Sequence, residues 1–145
     1  MAVNSPMPAK ELPDRTTYVS QPMPLTKALP SLTDFSEARF GNPTHTGLIM
    51  PGVYEAPEVV LGIEWGYPVD KWGFATTLWD LFEPEILFSA KNRKGQYSES
   101  HHLAQMVAIL GNPPVDFLRA SEKAVEYWHQ DGVSPQPTLY SLIET

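Results

Sequence analysis

Fifteen of the 145 residues are proline, and their placement limits the possible folds more than any other feature. Each proline fixes φ and removes a backbone donor, so a helix interior does not tolerate one without a break. Pro6, Pro8, Pro13, Pro22, Pro24 and Pro30 all fall in the first 30 residues. No helical period survives that spacing. Thr16-Thr17-Tyr18-Val19 has β-type residues and predicts a short strand, and residues 29–33 predict a second, closed by Asp34. Residues 1–13 read as a tail. An idealised bundle or coiled coil is excluded.

Two proline-poor stretches carry helical periods. Pro68 precedes Val69, Trp72, Ala75, Leu78, Trp79 and Phe82, which share one face at 3.6 residues per turn. Phe74 and Leu81 widen the apolar stripe nearly all round, which predicts a buried helix over about 69–82, ended by Pro84. Leu103, Met106, Val107 and Leu110 predict a second helix over about 99–110, stopped by Gly111-Asn112-Pro113-Pro114. Shorter helical pieces are expected at 114–118 and 121–128, and residues 131–145 read as turns. Residues 34–57 hold Gly41, Asn42, Pro43, Gly47, Pro51, Gly52 and Pro57 and predict a long loop. The expected class is mainly α, with long Pro-rich loops and short strands.

Trp65, Trp72, Trp79 and Trp128 are expected in the core, because aromatic burial dominates core energetics. His101 and His102 are adjacent, so their side chains do not converge on a metal. A solvated helix start is the expectation for both. Lys91, Arg93 and Lys94 read as a solvated polar loop.

Charge and composition exclude several function classes. The formal net charge is −7 and there is no cysteine. Disulfides, thiol nucleophiles and cysteine-based metal sites are therefore excluded, and a general nucleic-acid footprint, which is basic, is not expected. No segment has the ~20 apolar residues of a membrane helix. The N-terminus lacks the basic and apolar regions of a secretory signal. A cytoplasmic or nuclear location is expected, without a membrane role. The acids Asp34, Glu37, Glu55, Glu58, Glu64, Asp70, Asp80, Glu83 and Glu85 cluster within residues 31–88, against Arg39 and Lys71.

Three short motifs follow one another in this acidic half. Asp34-Phe35-Ser36 follows an apolar run, Tyr54-Glu55-Ala56-Pro57-Glu58 closes the long loop, and Asp70-Lys71-Trp72 opens the first helix. In this order and spacing they resemble the C-terminal lobe of a eukaryotic protein kinase. Tyr18–Pro24, Thr33–Arg39, His102–Met106 and Leu110–Pro114 further resemble fungal SR-protein kinases, serine/threonine kinases of the CMGC branch. The resemblance covers residues 14–145 as a partial domain, with an activation segment over 34–58.

The resemblance implies that the Asp34 carboxylate holds the magnesium that bridges the ATP phosphates. It makes Asp34 the candidate cofactor-binding and metal-ligating residue. Phe35, Ser36, Ala56, Pro57, Glu58, Asp70 and Trp72 become structural motif residues, and Tyr54 and Glu55 part of a substrate-facing segment. ATP and magnesium are the implied cofactors, and basic Arg/Ser-rich proteins the implied substrates. Two positions depart from the pattern: Ser36 stands for the glycine of Asp-Phe-Gly, and Glu55 for the arginine before Ala-Pro-Glu.

The 145 residues contain no Gly-rich phosphate loop, no ATP-anchoring lysine strand and no His-Arg-Asp catalytic loop. No catalytic residue is therefore assigned, and a truncated kinase-like protein without activity of its own is the expectation. Glu58 and Asp70 are expected to lack their family partners. The alternative is a non-catalytic binding module, or pseudokinase-like regulator, that holds basic peptides.

Overall fold

A computed structural model describes residues 9–18, 31–132 and 134–143. Part of the expected N-terminal tail, the Val19 end of the first expected strand, most of the Tyr18–Pro24 resemblance and Leu29–Pro30 lie outside the described residues. The chain divides into two compact units, Met1–Arg39 and Phe40–Thr145.

In the first unit, β1 (Ala9–Glu11) pairs antiparallel with β2 (Thr16–Tyr18), with Lys10 opposite Thr17. Leu12 N–H donates to the Arg15 carbonyl at 2.8 Å and closes the hairpin. β1 was not expected, since Ala, Lys and Glu are poor strand formers; pairing with the β-branched Thr16-Thr17 overrides that preference. Residues 31–33 are not a strand: they have no ladder partner among the described residues.

The second unit is helical, so the described residues are mainly α, with five α-helices and few strands among them. α1 spans Pro57–Val60, α2 Pro68–Phe82, α3 Glu99–Leu110, α4 Val115–Arg119 and α5 Pro137–Ile143. Proline opens α1, α2 and α5 at positions whose N–H is unsatisfied in any helix. α2 ends where Pro84 forbids it to continue. Glu83, the residue before that proline, is extended (φ −110°, ψ 143°), and its N–H returns to the Trp79 carbonyl at 2.8 Å. α3 ends at Gly111, whose φ of +83° suits a residue without Cβ.

Two apolar clusters hold this unit. The larger joins Val60, Leu61, Phe88, Leu103, Trp128 and Leu139, drawing on α1, α3, α5 and their connections. The smaller joins Ala56, Val59, Trp65 and Val69. Trp72 packs against both. Two buried hydroxyl contacts reinforce the larger cluster: Ser121 Oγ donates to the Leu61 carbonyl at 2.5 Å and accepts the Ala124 N–H at 3.0 Å.

α2 is not the buried helix that its apolar girth predicts. Only Val69 and Thr76 are buried on it. Phe74, Leu78, Trp79, Leu81 and Phe82 are exposed, Trp79 by 43% and Phe82 by 80%. The spacing of apolar residues identified a helix with wide apolar surface. It carried no information on whether this chain supplies elements to cover it.

Trp65 and Trp128 are core residues, as expected. His102 is fully buried rather than solvated, because α3 turns it inward against Phe88, ring centroids 5.4 Å apart. Residues 131–145, read as turns, contain α5, which packs on α3.

Candidate functional site

The end of the long loop is fastened at three points. His45 and Trp65 form an isolated antiparallel bridge (N···O 2.7 and 2.8 Å), and the Trp65 indole N–H donates to the Gly47 carbonyl at 2.8 Å. Gly66 sits so close that a Cβ there would meet the Pro43 carbonyl oxygen at 2.7 Å. Further on, a single 3-10 turn at Gly52–Tyr54 turns the chain into α1.

Tyr54, Glu55, Ala56, Pro57 and Glu58 meet the body of the second unit here. Ala56 is extended (φ −70°, ψ 153°), fully buried, and its carbonyl accepts the N–H groups of Val59 and Val60 at 2.9 and 3.1 Å. Tyr54 Oη donates to Asp80 Oδ2 on α2 at 2.5 Å, and this bond with the carboxylate raises the phenol above its ordinary range.

Glu55 was expected in a substrate-facing segment. Its side chain points inward instead, 6% exposed, and its carboxylate accepts the Tyr97 hydroxyl at 2.8 Å. Burial lifts its carboxyl above the usual range; the Tyr97 bond pulls it down, and the nearby Glu99 pushes it up again. Tyr97 Oη also stands 3.4 Å from His102 Nδ1. Burial lowers the His102 imidazole to about 4.

Beside this group, Lys123 Nζ pairs with the Glu99 carboxylate and donates to the Val60 carbonyl at 3.2 Å. Tyr127 Oη donates to Glu99 at 3.3 Å. Burial, then Glu99, raises the Tyr127 phenol to about 12. Tyr97, Glu99 and Lys123 were not singled out in the sequence, and His102 was expected to be solvated; the contacts from Tyr97 to Glu55 and from Lys123 to Glu99 span 42 and 24 residues, beyond the reach of a local motif.

The remaining motif residues lie apart from this network. Glu58 is half-buried in the first turn of α1 and Asp70 is exposed in the first turn of α2. Among the described residues neither carboxylate has an ion-pair partner. Trp72, half-buried, stacks on Phe88.

Asp34, Phe35 and Ser36 belong to the first unit and are exposed. Ser36 Oγ donates to Asp34 Oδ1 at 2.9 Å. The left-handed conformation falls on Asp34 (φ 63°), a residue type that tolerates it, and not on Ser36.

No protein-family model matches the chain. Curated relatives do. A serine/threonine protein kinase of Aspergillus fumigatus is 41% identical over 132 residues, 88% of this chain and 33% of that protein. A dual specificity protein kinase of Schizosaccharomyces pombe is 34% identical over 104 residues, 70% of this chain and 14% of the relative. A serine/threonine-protein kinase of Arabidopsis thaliana is 33% identical over 109 residues, 74% of this chain and 22% of the relative. The chain spans a third or less of the length of these relatives. It is a homologue of serine/threonine protein kinases, matching part of their kinase domain. Its relatives are fungal and other kinases of the CMGC type, SR-protein-kinase-like members among them.

That family works with ATP and magnesium. The described residues do not by themselves fit a metal: Asp34 is a lone carboxylate engaged by Ser36, and no group of three or more His, Asp or Glu side chains converges among them. No helix among the described residues is long and apolar enough to cross a membrane.

Proposed function

We propose that this chain is the activation-segment side of an SR-protein-kinase-like C-terminal lobe. The parent activity is transfer of the ATP γ-phosphate to serine in basic Arg/Ser-rich proteins. The observation that carries the reading is the placement of Ala56-Pro57-Glu58. This motif opens α1 directly after the long loop, with Ala56 fully buried and the turn before it tied to α2. Asp34 is then the metal-side carboxylate, and residues 34–58 the activation segment.

Phosphoryl transfer depends on positioned charge and a base for the attacking hydroxyl. The base, the ATP-anchoring lysine and the phosphate loop are not among these 145 residues, so this chain alone transfers no phosphate and holds no ATP tightly. A cytoplasmic or nuclear setting suits such a protein.

A second reading, a non-catalytic module that holds basic peptides, is favoured by Asp70, Glu83 and Glu85, which are exposed beside the apolar surface of α2.

One experiment separates the two. Residues 34–145 replace the stretch aligned with them in the Aspergillus fumigatus kinase, and phosphate incorporation into an Arg/Ser-repeat peptide is measured. The kinase reading expects incorporation above an Asp34→Ala chimera, and none from this chain alone. A chimera that folds, binds the peptide and transfers nothing establishes the second reading.

A further inference from the structure

The buried side chains of Glu55 and His102 both meet the partly exposed Tyr97 hydroxyl, a contact that no part of the proposed function uses. Each sits on a different part of the second unit. Glu55 immediately precedes Ala56 and α1, Tyr97 closes the small hairpin bridged to Lys91, and His102 lies in the first half of α3. The direction of the hydrogen bonds follows from counting protons. Tyr97 has one hydroxyl proton, and the Glu55 carboxylate, an acceptor, takes it at 2.8 Å. The longer 3.4 Å contact between Tyr97 Oη and His102 Nδ1 is then a hydrogen bond only if Nδ1 carries a proton.

The other ring nitrogen gives the same answer. His102 Nε2 is buried and has no partner. A bare acceptor nitrogen left without a donor is a lesser loss there than an orphaned N–H, which native interiors rarely contain. Burial also keeps the ring neutral, so one nitrogen must be bare.

We propose that His102 is the Nδ1–H tautomer and acts through Tyr97 as a positioning residue for the end of the activation-like segment. A directed chain runs from His102 Nδ1–H to Tyr97 Oη–H to Glu55. It fastens the turn before α1 to α3. The glutamate at position 55 serves as the acceptor that ends the chain, a role that the arginine of the CMGC pattern does not fill. The inference depends on the proposed function only in naming the segment.

The test is a long-range nitrogen–proton correlation spectrum of the imidazoles in the full chain at neutral pH, with amide exchange of Val59 and Val60 as a second readout. We expect the His102 proton on Nδ1. Tyr97→Phe removes the acceptor for Nδ1–H. It should move the ring towards the ordinary mixture of tautomers and raise exchange at Val59 and Val60 by about tenfold. Glu55→Gln keeps an acceptor oxygen and should retain the wild-type tautomer. A proton on Nε2 in the wild type, or a Tyr97→Phe protein unchanged in both readouts, overturns the proposal. If Tyr97→Phe does not fold, the wild-type spectrum and Glu55→Gln decide. Failure of the kinase reading shows separately, in phosphate transfer.

Discussion

Trp72 stacks on Phe88, with ring centroids 5.7 Å apart and planes within 4° of parallel. Phe88 is fully buried, so this contact holds the N-terminal part of α2 against the larger apolar cluster. Trp79, two turns on, packs in neither cluster and is nearly half exposed; its indole N–H donates to the Glu85 carbonyl at 3.0 Å. The two tryptophans therefore respond differently to truncation. Trp72→Ala should lower unfolding free energy by about 3 kcal/mol, near the low end for core aromatics because the residue is only half-buried. Trp79→Ala should cost about 1 kcal/mol or less. Denaturant melts of both variants measure the difference, and equal losses would refute it.

The uncovered side of α2 should behave as a sticky surface. Contiguous apolar patches beyond a few hundred Å² mark interaction or aggregation. The purified chain is expected to bind a hydrophobic dye and to self-associate at micromolar concentration. Phe74→Lys combined with Phe82→Lys should reduce both, while shifting stability by roughly 0.5 kcal/mol or less per site. Unchanged dye binding would locate the patch elsewhere.

Acid should destabilise the second unit through His102. Its folded pKa of about 4 lies below the ordinary 6.5, so between these values the unfolded state binds more protons. The stabilisation is complete above pH 6.5 and is lost as pH falls towards 4. The loss is on the order of 3 kcal/mol. Glu55, whose carboxyl is raised, acts in the opposite sense as it protonates. A His102→Leu variant should show a visibly flatter dependence of stability on pH over that window. An equally steep one would assign the loss to another group.

Ser121 makes two buried hydrogen bonds, to the Leu61 carbonyl and from the Ala124 N–H. Ser121→Ala leaves both partners unsatisfied and should cost about 2 kcal/mol in a thermal or denaturant melt. A neutral result would mean that water replaces the hydroxyl.

The sequence was informative where the physics is local. Pro68, Pro84 and Gly111 mark the ends of α2 and α3 because ring closure and a left-handed φ act within one or two residues. Pro57 opens α1 for the same local reason. Other features depend on distant partners. α5 has seven residues, too few to establish a period, and exists by packing on α3. His102 and Glu55 carry polar side chains that suggest solvent, yet α3 and Tyr97 enclose them. The exposure of α2 depends on whether covering elements exist, which its own residues do not encode.

Leu139, on the short α5, is fully buried against a cluster that begins at Val60 and Leu61. On the ribosome this order has a kinetic meaning. Val60 and Leu61 emerge first of this cluster, and Leu139 follows roughly 80 residues later. At roughly 5–20 residues per second that interval is several seconds. For that time the nascent chain displays unfinished hydrophobic surface, the kind of surface that makes a chain prone to aggregate before it is a folded protein.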